Sequence, residues 1–147
     1  MKIMIITGTP GTGKTTVAKK LAKKYNAEYI DVNKVIKENK LRESYDKKRK
    51  SYVIDIKKLN KVLIKLITNA KKHKLSLIID SHLSHYLPSK YVDCCYVTKT
   101  TLKKLKKRLQ NRKYSKKKID ENMQCEIFDI CFMEAQEAGH TVKVITT

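Results

Sequence analysis

Gly8-Thr9-Pro10-Gly11-Thr12-Gly13-Lys14-Thr15 fits the pattern G-x-x-x-x-G-K-[ST], and the residues on either side of it suit that reading. Lys2-Ile3-Met4-Ile5-Ile6-Thr7 before it is nearly all apolar, as expected of a parallel strand buried on both faces. Lys14 to Tyr25 after it places Val17, Ala18, Leu21 and Ala22 on one helical stripe. The chain holds four glycines, and three of them sit in this loop. Glycine lets backbone N–H groups turn inward around phosphate oxygens, and the helix N-terminus adds partial positive charge. The pattern therefore predicts a nucleotide-binding loop in which Gly11 and Gly13 line the phosphates and Lys14 reaches the β- and γ-phosphates. The Thr15 hydroxyl would ligate Mg²⁺, and Thr16 would add a hydroxyl near the α-phosphate. A ligand-free glycine-rich turn is the weaker alternative.

Such a loop needs an acid to complete the Mg²⁺ site, usually at the end of a buried strand. Leu75-Ser76-Leu77-Ile78-Ile79-Asp80 reads as that strand, with Asp80 as the acid. Asp80-Ser81-His82 then sets an imidazole two residues on, near the γ-phosphate of a conventionally wound sheet; an ordinary loop histidine is the alternative. His82 and His85 are three apart, but no third ligand accompanies them, which disfavours a metal pair. A guanine-reading Asn-Lys-x-Asp segment is missing: Asn33-Lys34 and Asn60-Lys61 carry Ile36 and Leu63 where the Asp should stand. A GTPase is disfavoured on that ground.

Further elements extend outward from this centre. Glu28–Asp31 reads as a short strand, Asn33–Leu41 as a short helix with a loop after it, and Ile56–His73 as a strongly amphipathic helix. Val92–Val97 is a strand, Leu102–Arg112 a helix, and Ser115 caps one long helix carrying Ile119, Met123, Ile127 and Ile130. Thr141–Ile145 is a last strand. Strands and helices alternate without repeats or a linker, so residues 1–147 are expected to form one α/β domain with a doubly wound, mostly parallel five-stranded sheet. Such sheets usually cover the last strand with one more helix, and the chain stops two residues after Ile145, which reads as a missing C-terminal helix.

Composition bounds the remaining classes. The chain is 41% hydrophobic and 33% charged with net charge +20, too apolar to be disordered despite that charge. No apolar run approaches the ~18 residues of a membrane helix, and neither a secretory leader nor a membrane anchor is expected. The four cysteines, at 94, 95, 125 and 131, show no zinc spacing and are expected to be free buried thiols in a reducing cytoplasm, or nucleus in a eukaryote. Of the 34 basic residues, only Arg42, Arg49, Arg108 and Arg112 are arginines, scarce planar forks suited to phosphate. A lysine excess reads equally as a solubilising surface or as a polyanion-facing one. A dedicated nucleic-acid module is disfavoured because the aromatics are scattered.

Thr7–Thr16, Asp80-Ser81-His82, Asn111-Arg112-Lys113-Tyr114-Ser115 and Asn122-Met123-Gln124-Cys125-Glu126-Ile127-Phe128 together resemble the adenylate kinase isoenzyme six family. That family includes the coilin-interacting nuclear ATPase of animals and archaeal adenylate kinase-like proteins. The resemblance runs from the first strand to Thr147. It implies a P-loop fold of the nucleoside-monophosphate-kinase type, with an acceptor-binding region near 31–54 and a short lid near 111–118. It also implies reversible phosphoryl transfer from ATP to AMP, ATP hydrolysis, and a part in small ribosomal subunit maturation and rRNA processing through small-subunit ribosomal protein eleven. The alternative is an assembly ATPase switch on that protein, with incidental kinase activity.

On this reading Arg112 is the lid arginine that binds ATP phosphates, with Arg108 one turn earlier either assisting or facing solvent. Arg42 and Arg49 fall in the acceptor region. Between Asp93 and Asp120 the chain has 11 basic residues and no acid, supplying the cation that phosphoryl transfer needs. A nucleoside monophosphate brings an already ionised oxygen, so no general base is required. Water attack is different, and His82 could orient that water. The acids Asp120, Glu121, Glu126, Asp129, Glu134 and Glu137 are six of 14 within 18 residues, a candidate surface for a basic protein partner. An ordinary solvated helix face is the alternative.

Overall fold

The computed structural model describes residues 1–48 and 51–147. The chain runs β1 (Ile3–Gly8), α1 (Lys14–Lys24), β2 (Glu28–Asp31), α2 (Val32–Glu38), β3 (Arg42–Asp46), β4 (Ser51–Ile54), α3 (Ile56–Lys72) and β5 (Leu77–Asp80). It continues through β6 (Cys94–Lys99), α4 (Leu102–Asn111), α5 (Lys116–Ile127), α6 (Ile130–Glu137) and β7 (Val142–Thr146). Two 3₁₀ turns, Ser84–Tyr86 and Ser89–Tyr91, fill the connection from β5 to β6.

Five strands pair in parallel in the order β2-β5-β1-β6-β7, the α/β architecture anticipated from the alternation of strands and helices. Every residue of β1 is buried, which is why its sequence runs apolar without alternation. Ile3, Ile5, Leu77, Ile79 and Val97 pack on one face with Leu59, Leu63 and Ile67 of α3. Met4, Ile6, Ile78 and Tyr96 pack on the other with Ala18 of α1 and its neighbours Val17 and Leu21. Successive residues of a strand thus feed opposite layers. Helix α3 starts where the Asp55 carboxylate accepts from the backbone N–H groups of Lys57 and Lys58, and its fully buried positions recur four apart. Removing a side chain such as Leu63 would cost roughly 2–5 kcal/mol. Ile6 lies in register with Asp80, so the carboxyl ends of β1 and β5 come together where the glycine loop leaves the sheet.

Two expectations are corrected. The segment expected as a loop after Leu41 holds a strand: β3 pairs antiparallel with β4, with Tyr45 opposite Tyr52. Those rings meet edge to face at 5.1 Å, and the Arg42 guanidinium lies 4.2 Å from the Tyr52 ring. Cross-strand aromatic and cation–π contacts hold a ribbon whose strands bury little, so the hydrophobic alternation that marks a strand is absent. The long helix from Ser115 is in fact two, because Asp129 is left-handed, with φ 56°. Its side chain pairs with Lys99 of β6. The apolar spacing continues across the break, and an aspartate accepts αL locally, so nothing in the pattern announces it. Ile127 and Phe128 are consequently exposed, while α6 turns back to bury Ala135.

Candidate nucleotide and phosphoryl-transfer site

The loop's backbone requires its glycines. At Gly8 (φ 149°) an added Cβ would lie 2.8 Å from the Thr98 carbonyl oxygen. Gly13 is left-handed (φ 89°) at the start of α1, which has no side-chain cap and so presents its N-terminus to an anion. Lys14 Nζ donates to the carbonyl oxygens of Gly8 at 3.0 Å and Thr9 at 3.4 Å. Burial lowers its pKa to about 8, against the opposing attraction of Asp80.

Asp80 stands at the end of β5 as the sequence implied. Its Oδ2 accepts from Thr15 Oγ1 at 2.8 Å and from Tyr29 Oη at 2.6 Å. A carboxylate joined to a hydroxyl is a hard-oxygen donor set, and it fits Mg²⁺ rather than a softer ion. Among the described residues, no group of three or more His, Cys, Asp or Glu is placed to hold a metal by itself. Mg²⁺ at Thr15 and Asp80 would neutralise charge on phosphate oxygens.

His82 opens into the same cleft. Loss of water there, then the positive charges of Lys14 and Lys118, push its imidazole below the ordinary pKa, so the ring is neutral at neutral pH. Arg112 caps the C-terminus of α4, its guanidinium 6.0 Å from the Tyr114 ring. Gly11, Gly13, Lys14, Thr15, Thr16, Asp80, His82 and Arg112, all singled out from the sequence, line one cleft of about 850 Å³. Arg108 is not a solvated helix residue: its guanidinium donates to the Gly11 carbonyl at 3.2 Å and to Thr147 Oγ1 at 3.1 Å. With Arg112, Val17, Leu21 and Ile145 it lines an adjoining hollow of about 770 Å³. Arg42 is on β3, outside the residues lining either space. Arg49 lies outside the described residues.

Sequence reasoning missed the roles of three groups. Tyr29 lies opposite Ile78 and reaches Asp80, a relation set by the adjacency of β2 and β5 that no local motif reports. Glu126 is buried and accepts from the Thr100 backbone N–H at 3.1 Å and from Thr9 Oγ1 at 3.4 Å, tying α5 to the phosphate loop. His85 is buried and bonded to Thr7 and Glu134 instead of to His82. The acidic surface is corrected with them. Glu126, Asp129 and Glu134 are engaged with Thr100, Lys99 and His85 respectively, leaving Asp120 and Glu137 exposed.

Fold and loop together define a nucleotide-binding P-loop protein of the kinase type. The family model described as "AAA domain" matches residues 4–129. The chain is 37% identical over 142 residues to a protein of Methanocaldococcus jannaschii named "Putative adenylate kinase", covering 97% of this chain and 75% of that one. It is 40% identical over 135 residues to "Adenylate kinase isoenzyme 6 homolog" of Schizosaccharomyces pombe, covering 92% of this chain and 74% of that one. A solved sugar kinase from Janibacter shares the fold, with TM-score 0.62 at 16% identity over 99% of this chain and 85% of that one. The chain belongs to the adenylate kinase isoenzyme six family, and it is an adenylate kinase-like kinase. Among the described residues no helix is long and apolar enough to cross a membrane.

Proposed function

We propose that this protein transfers the γ-phosphoryl group of ATP to AMP, and that it also hydrolyses ATP. The observation that carries the reading is the convergence of Lys14, the Thr15–Asp80 pair, His82 and Arg112 on one cleft. The ATP phosphates lie along the glycine loop, with Lys14 and Arg112 balancing the charge that spreads over the transferring group. The adjoining hollow beside Val17, Leu21 and Ile145 suits the nucleotide base, with Arg108 holding the loop on its near side. The acceptor enters from the region of 31–54, where Asp31, Asn33 and Ser51 line the cleft. Residues 111–118, the turn from α4 into α5, act as the lid that carries Arg112.

Transfer to AMP needs positioning rather than a base, because the acceptor oxygen is already ionised. Hydrolysis needs an oriented water, and the neutral imidazole of His82 is the group that can accept a hydrogen bond from it. Small ribosomal subunit maturation and rRNA processing through ribosomal protein eleven, in the cytoplasm or nucleus, rest on family membership alone.

The test offers ATP and Mg²⁺ with each of AMP, CMP, GMP and UMP and follows the diphosphates formed. AMP should be converted fastest, giving two ADP for each ATP consumed. Preference for another monophosphate, or no diphosphate beyond that from hydrolysis, would contradict the assignment.

A further inference from the structure

His85 is 2% exposed and sits on the 3₁₀ turn that follows Asp80-Ser81-His82. Both ring nitrogens are engaged: Nε2 with Glu134 Oε2 at 2.9 Å, and Nδ1 with Thr7 Oγ1 at 2.6 Å. An ionised carboxylate can only accept, so Nε2 carries the proton and donates to Glu134. Burial outweighs the pull of Glu134 and keeps the ring neutral, which makes Nδ1 an acceptor for the Thr7 hydroxyl. The Thr7 oxygen also touches the carbonyl oxygen of His82 at 3.3 Å, without a proton between them, since its one proton goes to Nδ1. Thr7 immediately precedes Gly8, so this cluster joins the floor of the phosphate loop to the 3₁₀ turn that follows His82.

The segment is fastened from other sides as well. Ser84 Oγ lies 2.8 Å from the carbonyl oxygens of both Ile6 and Ser81, and His140 Nε2 donates to the His85 carbonyl at 3.0 Å. Glu134 also takes a hydrogen bond from Tyr86. These contacts fix the path of residues 81–85 over the end of β1. The Glu134–His85–Thr7 chain adds a further tie to that path, through a histidine tautomer that a carboxylate on α6 selects.

We propose that Glu134, His85 and Thr7 form a positioning relay that sets His82 over the phosphate loop, so that Glu134 governs ATP hydrolysis through His82. The proposal rests on the reading that His82 orients the attacking water. A reacting group displaced by an ångström can lose on the order of a hundredfold in rate, so a backbone anchor of this kind matters to turnover before it matters to binding.

The test is a mutant cycle on hydrolysis, with AMP phosphorylation measured alongside. Thr7→Val is nearly isosteric and Glu134→Ala truncates a side chain that is one-third exposed, so both variants should fold, which thermal melts check. Each should lower kcat for hydrolysis about tenfold while leaving the KM for ATP within about twofold. Added to His82→Ala, each should cost less than about a further twofold, because the relay has nothing left to position. Glu134→Gln keeps an acceptor oxygen for the Nε2 proton and should restore most of the rate. Should Glu134→Ala fail to fold, Thr7→Val carries the same cycle. Losses that multiply with that of His82→Ala would overturn the relay. A raised KM for AMP at unchanged kcat in Glu134→Ala would do so too, assigning Glu134 to the acceptor. An impaired His82→Ala beside an unimpaired Thr7→Val removes the relay alone, whereas His82→Ala hydrolysing like the parent removes the reading of His82 and the relay with it.

Discussion

The Tyr29 hydroxyl donates to Asp80 Oδ2 at 2.6 Å, and the Thr15 hydroxyl reaches the same oxygen at 2.8 Å. Two donors on one oxygen lock the carboxylate between α1 and β2. Burial and the bond to Asp80 push the Tyr29 phenol well above its ordinary pKa, so it remains a donor throughout the working range.

Tyr29→Phe should therefore loosen the carboxylate without emptying the loop. The Mg²⁺ concentration for half-maximal turnover should rise about three- to tenfold, and calorimetry should show weaker ATP binding only when Mg²⁺ is present. Stability should fall by about 1 kcal/mol, the net worth of an ordinary hydrogen bond. An unchanged Mg²⁺ dependence would detach Tyr29 from the metal site.

Lys14→Ala removes the cation that balances phosphate charge. AMP phosphorylation and ATP hydrolysis should both drop by about 10²–10³-fold, the loss seen when one preorganised stabilising donor is deleted. Far-ultraviolet circular dichroism should remain that of the parent, since Lys14 is not part of either apolar layer. A folded, active variant would refute the phosphate-loop assignment.

The lowered pKa of Lys14 gives a signed pH dependence. The folded protein holds this proton less tightly than the unfolded chain, so the Lys14 contribution to stability grows as pH rises from about 8 toward 10.5. Nucleotide binding runs the other way, because phosphate favours the charged amine. ATP affinity should fall above about pH 8, and binding near that pH should take up a proton. Calorimetry in buffers of different ionisation enthalpy measures the uptake, and a pH-independent affinity up to pH 9.5 would contradict it.

Glu126 accepts from both Thr100 and Thr9, joining α5 to the phosphate loop. Glu126→Ala leaves the buried Thr100 N–H without its carboxylate and should cost roughly 1–3 kcal/mol, or a fall in Tm of several degrees. Saturating ATP should recover part of the fall if the variant still binds nucleotide. A melt equal to the parent's would show that the tie carries no load.

What the sequence disclosed and what it hid follow one division. Lys14 and Thr15 were legible because a strand, a glycine turn and a helix are contiguous and their chemistry is written in eight residues; Asp80 and His82 were legible because an apolar strand ends on an acid with an imidazole two residues on. The pairing of β3 with β4 was hidden because its contacts, Tyr45 on Tyr52 and Arg42 over Tyr52, join exposed residues with no apolar period. The break at Asp129 was hidden because one left-handed residue shifts a helix without disturbing the spacing of Ile119, Met123, Ile127 and Ile130. Glu134 read as a surface acid because only the turn at Asp129 directs α6 toward His85. Tyr29 could be found only once β2 was known to lie beside β5.

The most direct test of the central claim follows the terminal phosphate itself. The protein is incubated with Mg²⁺, AMP and ATP labelled in its γ-phosphoryl group, and early products are separated before back reaction spreads the label. Label appearing first in ADP, at a rate that saturates with AMP and disappears in Lys14→Ala, is the outcome expected of phosphoryl transfer at this cleft. Label appearing only as inorganic phosphate, at a rate indifferent to AMP, would contradict it.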